Sequence, residues 1–446
     1  MAGLTFLIVF LVLMALVAIV PQVLRRFHIP AVVAIMLVGI AIGPNALDLV
    51  RHLNHFLGRG YPTEQIYVVL DAMGLLGLVF LMALAGMEVN LRIMLVEKRA
   101  VAWLSLLTFA IPAAAGYAAY GVFEPADTIG KWVYASLFAS HSVGIVFPLI
   151  RELKATRTRF GVTVLASTVI TDMGSLILLA MCIQLKRHAI PGRVAGSISV
   201  FDHVDPGFLG AWFFVLFLGA IAAFILLSFW LLPKAARYVL ARLHPHDDAR
   251  LTFFIVGLLA VVSIGELIGV SVIVSAFVGG MAIVGVPAFH EQSCVLHRKI
   301  EGIGYGFVIP FLFLTIGMKT DLRVLLAAWE NTAIVGVTVL GLVVSKTASG
   351  WLAMRLAGFG DKKGLCAGLM TVPQLSATLA AAAVALQLQM IGQAFFNAIV
   401  CLSIFTTIPV PTLVKLLIVK GNIRFDQVEE NLTELVPETA IEEDTV

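Results

Sequence analysis

VLASTVITDMGSLILLA, residues 164–180, is an apolar run interrupted by a single charged side chain, Asp172. A helix needs about 20 apolar residues to cross the hydrocarbon core of a bilayer, and this run with its flanks is long enough. A charged side chain at mid-bilayer costs on the order of 2.5–3.5 kcal/mol on insertion, so each one calls for a functional reason. The segment therefore predicts a membrane-spanning helix with a functional acid at its centre.

The composition of the whole chain also indicates a membrane protein. Its 446 residues are 60% hydrophobic and 13% charged, with a mean hydropathy of +1.01, whereas soluble domains carry about 25% charged residues. The net charge of +3 comes from 30 Lys and Arg against 27 Asp and Glu, which leaves no basic face for nucleic acid. Composition therefore predicts an integral protein of the lipid bilayer and excludes a nucleic-acid partner.

The same length rule, applied along the chain, predicts an all-α polytopic membrane protein of about 13 transmembrane helices. A single helix over 252–287 would be about 54 Å long, so we expect a turn at 265–269. Most Lys and Arg residues fall in odd-numbered connections and the C-terminal tail, which predicts an N-terminus outside and a cytoplasmic C-terminus. The predicted spans are 4–24, 28–47, 66–89, 99–122, 131–150, 159–183, 208–232, 252–266, 268–287, 303–318, 330–354, 364–386 and 393–418.

Two pairs of passages predict an internal repeat. FLMALAGMEVNLR at 80–92 aligns without gaps to FLFLTIGMKTDLR at 311–323, and VVAIMLVGIAI at 32–42 resembles VIVSAFVGGMA at 272–282. Both pairs relate spans that are seven apart. Because seven is odd, equivalent helices cross the membrane in opposite senses, which predicts an inverted-topology repeat of spans 1–6 and 8–13. Chance likeness between small-residue membrane helices is the alternative.

Two of the predicted spans contain polar interruptions. ASHSVG at 139–144 and TVPQLSAT at 371–378 break apolar helices, and Pro373 lacks a backbone donor and so frees a carbonyl. Carbonyl and hydroxyl oxygens in broken helices are ligands for alkali cations, and half-helix ends aim their dipoles at the same depth. Ordinary kinks, with hydroxyls bonded back to the preceding turn, are the alternative.

Asp172 is the predicted centre of a binding site. Desolvation disfavours a charged carboxylate, so this group can hold either a proton or a monovalent cation, the one metal ion expected here. The alternative is that Lys346, in span 11, neutralises Asp172 permanently as a buried ion pair. The predicted cation- and proton-binding residues are Asp172, Thr171, Ser140 and Ser142, and the predicted site-lining or pH-sensing residues are His141, Pro373 and Gln374.

Five segments, in this order and spacing, resemble the monovalent cation:proton antiporter-2 family, bacterial sodium or potassium/proton exchangers with the NhaA-type fold. The resemblance covers all of the predicted spans. The segments that carry it are IPAVVAIMLVGIAIGP at 29–44, LDAMGLLGLVFLMALAGMEVNL at 70–91, STVITDMGSLILLA at 167–180, IGELIGVSVIVSAFVGGMAI at 264–283 and IPFLFLTIGMKTDL at 309–322.

The resemblance implies a homodimer in the bacterial inner membrane. In each subunit, a core ion-transport domain with crossed discontinuous helices 5 and 12 would move like an elevator against a dimerisation domain. Asp172 would carry the cation and the proton, with Lys346 as its ion-pair partner. The implied boundaries are 1–89 and 252–323 for the dimerisation domain, 90–183 and 324–419 for the core domain, 184–251 for linker span 7 and a cytoplasmic loop, and 420–446 for an acidic disordered cytoplasmic tail.

The function that this resemblance and the site residues predict is secondary antiport of a monovalent cation, Na+ before K+ or Li+, against H+ in pH homeostasis. Relatives with two adjacent aspartates in span 6 are similar to electrogenic exchangers, whereas Thr171 precedes Asp172 here and a single carboxylate favours electroneutral exchange. No cofactor is expected. A K+/H+ antiporter, a sodium-coupled organic-anion symporter and a cation channel are the alternatives. An enzyme built on Ser140 or Ser142 with His141 and Asp172 is not expected, because hydroxyls directly beside the histidine in sequence make a poor helical triad.

Overall fold

The computed structural model describes residues 2–27, 29–56, 63–87, 97–155, 158–189, 212–243, 247–284, 293–421 and 423, and their regular structure is helical. The first helices are α1 (Ala2–Leu24), α2 (Ala31–Ile42), α3 (Leu49–Phe56), α4 (Thr63–Met87), α5 (Lys98–Phe123), α6 (Thr128–Ala139), α7 (Val143–Glu152), α8 (Arg159–Ala189) and α9 (Trp212–Leu243). The remaining helices are α10 (Asp247–Ile268), α11 (Val272–Val284), α12 (Ser293–Ile303), α13 (Ile309–Lys319), α14 (Leu322–Ala327), α15 (Trp329–Leu356), α16 (Asp361–Met370), α17 (Ser376–Gln387), α18 (Gln393–Thr407) and α19 (Pro409–Gly421). A π-helical turn, Gly304–Val308, joins α12 to α13. Of the predicted tail 420–446, residues 420 and 421 end helix α19, whereas 422 and the residues from 424 onward lie outside the described residues.

The described helices have the length and surface of a membrane protein. Nine helical stretches of the described chain are long and apolar enough to span a bilayer, and two of them, 298–324 and 393–418, consist of consecutive helices. Helices α2, α11 and α17 contain shorter apolar stretches. Large apolar side chains such as Leu227 and Phe405 stay exposed on the outside of the protein, as expected where lipid takes the place of water. The prediction of an all-α polytopic membrane protein is confirmed.

Helix α9 extends well beyond its predicted end at residue 232. It runs to Leu243, with Pro233 inside it. Proline leaves the carbonyl one turn earlier without its helical donor, a loss that membrane helices tolerate. The Arg237 side chain donates to the carbonyl of Pro233 itself at 3.2 Å, in the turn that follows. The helix therefore continues through a basic segment that hydropathy alone assigned to a loop.

The turn predicted at 265–269 lies slightly later in the chain, because α10 continues to Ile268 and the turn to α11 is formed by residues 269–271. Gly269 adopts φ of 91° there, in the left-handed region that glycine tolerates best. The Gln184 side chain of α8 donates from Nε2 to the Gly269 carbonyl at 2.7 Å. Gln184 Oε1 is buried and has no hydrogen-bond partner within the described residues. This bond joins α8 to the turn.

A group of helices packs through glycines. Helix α2 lies on α13, and α4 lies on both α11 and α13. A Cβ added at Gly317 would lie 2.3 Å from the Met36 carbonyl oxygen, and one added at Gly39 would lie 2.3 Å from that of Leu314. Small residues of this kind let membrane helices approach backbone to backbone. We call the five glycines of these contacts the glycine seam: Gly39, Gly77, Gly86, Gly280 and Gly317.

A second group of helices surrounds two chain interruptions. Helix α15 packs on α5, α16 and α18, while α5 and α8 pack on α6. One interruption lies between Ala139 and Val143, and the other lies between Met370 and Ser376. Both fall inside the polar segments that the sequence singled out at 139–144 and 371–378. Contacts of α17 with α4, α11 and α13, and of α8 with α11, join the second group to the first.

Candidate functional site

The two interrupted segments meet inside the second group of helices. The Gln374 amide donates from Nε2 to the Ser140 carbonyl oxygen at 2.7 Å. Pro373, the residue before Gln374, has no N–H to continue a helical ladder. We call residues 140–142 and 371–375 together the helix crossing. Here backbone N–H and C=O groups lack the hydrogen-bond partners that an intact helix would give them.

Asp172, near the middle of α8, faces the helix crossing. Its Oδ1 accepts hydrogen bonds from Ser140 Oγ at 2.7 Å and from the backbone N–H of His141 at 2.9 Å. Hydrogen bonds donated to a carboxylate favour its ionised form. Asp172 is 4% exposed, and no hydrogen bond reaches its Oδ2 from the described part of the chain. One carboxylate oxygen is therefore held in place while the other is left for a ligand.

The Lys346 ammonium lies at the end of α6, so the structure differs from the predicted ion pair. Lys346 Nζ donates to the Ala139 carbonyl at 2.9 Å and to the Ser140 carbonyl at 2.6 Å. No ion pair joins Lys346 to Asp172 among the described residues. The last carbonyls of a helix lack internal donors and carry the negative end of its dipole, and both features attract a cation. The carbonyls freed by the break therefore satisfy Lys346.

Thr171 and His141 form a second pair beside Asp172. Thr171 Oγ1 is hydrogen-bonded to His141 Nδ1 and lies 2.9 Å from the Ser167 carbonyl. Because a carbonyl only accepts, a Thr171 hydroxyl that donates to Ser167 must accept from His141 Nδ1–H. That arrangement leaves His141 Nε2 with a free lone pair.

Two polar atoms of the unwound segment 140–142 are buried without a partner in the described chain. They are His141 Nε2 and Ser142 Oγ, in residues that are 0% and 1% exposed. Buried polar groups are nearly always hydrogen-bonded, so an orphan indicates a water, an ion or a functional role. Both residues adjoin the peptide that donates to Asp172, and a hydroxyl oxygen such as Ser142 Oγ is a ligand type that hard cations accept.

The structure adds Thr378 to the residues that the sequence singled out as ligands or site-lining groups. Its hydroxyl donates to Gln374 Oε1. Thr378 was passed over because Gln374 lies in the unwound segment, where helical spacing is not expected to hold.

Comparisons with known proteins also indicate a membrane transporter of cations and protons. The sequence profile described as sodium/hydrogen exchanger, transmembrane, matches residues 11–420. The chain is 34% identical over 407 residues to the probable Na(+)/H(+) antiporter 3 of Methanocaldococcus jannaschii, covering 91% of this chain and 95% of that protein. It is 25% identical to the Na(+)/H(+)-K(+) antiporter GerN of Bacillus cereus, covering 87% and 90% of the two chains.

A solved structure shares the fold. The sodium proton antiporter MjNhaP1 of Methanocaldococcus jannaschii, determined at pH 8, superposes with a TM-score of 0.62 over 94% of this chain and 98% of that one. The sequence identity is 14%, so the likeness concerns the path of the helices rather than particular side chains.

Proposed function

We propose that this chain, which belongs to the sodium/hydrogen exchanger family, exchanges Na+ for H+ through competition of the two ions for the Asp172 carboxylate. Proteins of this family are transporters and not enzymes. The observation that carries the site assignment is the unequal bonding of Asp172. Its Oδ1 accepts from Ser140 Oγ and the His141 N–H, whereas Oδ2 has no donor among the described residues.

Competition follows from the chemistry of a carboxylate held in this way. The two donors on Oδ1 stabilise the negative charge, which a cation needs and which a proton removes. A proton and a Na+ ion therefore exclude one another at Oδ2. If only a loaded carboxylate passes between the two sides of the membrane, uptake of one ion requires release of the other. Exchange then needs no cofactor.

The other groups of the helix crossing complete the proposed site. Ser142 Oγ and His141 Nε2, both buried without partners in the described chain, supply further ligands beside Asp172. Lys346 stays bound to the carbonyls of Ala139 and Ser140. Its positive charge lowers the cost of an ionised carboxylate nearby without occupying Oδ2.

The proposed movement is a rigid-body displacement of the helices around the crossing against those of the glycine seam. The seam supports a fixed unit because its backbones are in contact, and membrane transporters commonly move one bundle against another around a central site. This proposal includes the homodimer, the 13 spans of the inverted repeat and the outside N-terminus. It also includes the division into a dimerisation domain (1–89, 252–323), a core domain (90–183, 324–419) and the linker 184–251. The antiporter-2 family and the NhaA-type fold are part of it too.

Electroneutral exchange is part of the proposal. Asp172 is the one carboxylate of the described residues that is hydrogen-bonded to the helix crossing, and the residue before it is Thr171. One carboxylate that binds either one proton or one Na+ moves no net charge over a full cycle. Potassium is the second candidate cation, because GerN, a relative over most of the chain, is named a Na(+)/H(+)-K(+) antiporter.

The decisive test is proton flux in proteoliposomes that contain the purified protein. We expect Na+ to drive proton movement by the wild type at a rate that a clamped membrane potential does not change. Asp172→Asn should reduce this flux to that of protein-free vesicles, because an amide cannot bind a proton or a cation in the same way. Scanning Na+, Li+ and K+ in the same assay ranks the cations.

Asp71→Asn is the matched control for Asp172→Asn. Asp71 pairs with Lys319 at 2.9 Å and its side chain is 54% exposed, so the same chemical change occurs away from the crossing. It should leave exchange intact. Exchange that persists in a folded Asp172→Asn protein, judged by its thermal unfolding in detergent, would contradict the site assignment. A potential-dependent rate would contradict electroneutrality alone.

A further inference from the structure

We infer that Thr378 is a positioning residue for the exchange site, which it reaches through Gln374 and Ser140. Among the described residues the Thr378 hydroxyl is hydrogen-bonded to Gln374 and not to Asp172. It holds the Gln374 amide in the one orientation that supports the Ser140 peptide. The inference rests on the proposed function, because it describes how the carboxylate site is kept in shape for ion exchange.

The orientation of the Gln374 amide follows from its two partners. The Ser140 carbonyl can only accept, so Gln374 must present its NH2 group there, at 2.7 Å. The amide oxygen then faces Thr378, whose hydroxyl must donate to it. Reversal of the amide would set two oxygens against each other at Ser140. The Ser140 carbonyl opposes that reversal, and the Thr378 hydroxyl stabilises the observed orientation by donating to the amide oxygen.

Burial leaves the polar groups of these residues dependent on one another for hydrogen bonds. Gln374 is 0% exposed, Thr378 is 1% exposed and Ser140 is 3% exposed. In such surroundings water cannot replace a lost donor, so an amide oxygen without Thr378 would be a buried acceptor with no bond. The amide would then turn toward any other donor that it can reach, and Ser140 would lose its contact with the opposite segment of the crossing.

Ser140 transmits the effect to the carboxylate. Its carbonyl accepts from Gln374 and from Lys346, and its hydroxyl donates to Asp172 Oδ1 at 2.7 Å. The next peptide N–H, of His141, donates to the same oxygen. If this peptide is held less firmly, the hydrogen bonds that Ser140 and His141 donate to Asp172 Oδ1 become weaker. The ionised carboxylate is then less stable, so a proton competes better with Na+. Loss of the Thr378 hydroxyl should therefore lower apparent Na+ affinity and move the activity profile to higher pH.

The experiment uses the full chain in proteoliposomes and compares Thr378→Val, which removes the hydroxyl at nearly constant volume, with Thr378→Ser, which keeps it. We expect Thr378→Val to raise the KM for Na+ by about threefold to tenfold, the range that one net hydrogen bond supports. The maximal rate should change much less, and Thr378→Ser should restore the wild-type KM and pH profile. Thr406→Val is the matched control, because Thr406 is 2% exposed and its hydroxyl bonds back to Leu402 at 2.7 Å and to no other described residue.

A double-mutant cycle tests whether Thr378 acts through Gln374. In a Gln374→Met background, Thr378→Val should add no further change in KM. The inference would be overturned by additive effects in the double variant. It would also be overturned if Thr378→Val behaved like Thr406→Val, or if Thr378→Ser failed to restore the wild-type KM. If Gln374→Met does not fold, the Thr378 pair alone decides. Exchange in Asp172→Asn would overturn the proposed function instead, so the two failures are separable.

Discussion

The glycine seam and the helix crossing both bring helices into close contact, but they do so by opposite means. At the seam, side chains are removed until the backbone of one helix touches the next, as where Gly317 meets the Met36 carbonyl. At the crossing, the helices are interrupted, and the freed backbone groups are bonded by side chains such as Lys346 and Gln374. The seam has no space for an added atom. The crossing keeps polar atoms that no described residue satisfies.

The difference separates stability from function. Close backbone packing at the glycine seam is lost when a larger residue replaces a glycine, whereas it does not depend on charged or hydrogen-bonding groups. A network of buried hydrogen bonds tolerates changes of similar volume and fails when a donor or acceptor is left alone. We therefore expect seam variants to lose the fold, and crossing variants to lose function first.

The largest effect on stability should come from Gly317→Val at the seam. A Cβ at this position would lie 2.3 Å from the Met36 oxygen and 2.9 Å from the Cα of Gly39, and only backbone movement can relieve such contacts. We expect a loss of about 3 kcal/mol or more, at or above the usual range for overpacking. Thermal unfolding and size-exclusion behaviour in detergent measure it. Gly219→Val is the control, because nothing lies within 4 Å of the added atom. Equal stability of the two variants would remove the basis of the comparison.

A smaller effect should follow from Lys346→Met at the crossing. The change keeps the length of the side chain but leaves the Ala139 carbonyl without its donor. We expect the free energy of unfolding to fall by about 1–3 kcal/mol, the usual consequence of an unsatisfied buried acceptor. Thermal unfolding measures the loss. Lys346→Gln, which can still donate, should lose less. If both variants unfold like the wild type, Lys346 does not stabilise the end of α6.

The smallest effect on stability should come from Ser142→Ala. Its hydroxyl is buried and has no partner in the described chain, so its removal should change the free energy of unfolding by less than about 1 kcal/mol. As a proposed ligand, however, its loss should raise the KM for Na+ about threefold, which corresponds to roughly 0.7 kcal/mol. Ser403→Ala is the control, since Ser403 Oγ is likewise buried without a partner in the described chain but lies on α18. An unchanged KM in Ser142→Ala would exclude this hydroxyl as a ligand.

The sequence was most informative where a residue contradicts its surroundings. Asp172 in an apolar run, the polar segments at 139–144 and 371–378, and the glycines of 265–269 each depart from a continuous membrane helix. The structure has its two chain breaks within the polar segments and its turn at 269–271, at the end of the glycine segment. A departure of this kind costs free energy unless the fold compensates it, so it is visible without knowledge of the tertiary structure.

Side-chain partners were harder to predict. Opposite charge suggested that Lys346 pairs with Asp172, whereas its ammonium bonds to the carbonyls of Ala139 and Ser140. Backbone carbonyls are present at every residue, so the sequence does not reveal which of them a helix break makes available. Thr378 was missed for a related reason, because its partner Gln374 lies outside the regular helix. Such contacts depend on how two distant segments meet, which local pattern does not specify.

The hydrogen bond of the Gln184 side chain is a weak link between α8 and the turn that follows α10. The single bond from Gln184 to the Gly269 carbonyl ties α8 to the turn between α10 and α11, while the side-chain oxygen of Gln184 has no partner in the described chain. A typical hydrogen bond contributes a net of about 0.5–1.5 kcal/mol, only one to three times the thermal energy. Thermal fluctuations therefore suffice to open and reclose this link, and sliding of α8 past the turn would stretch it early.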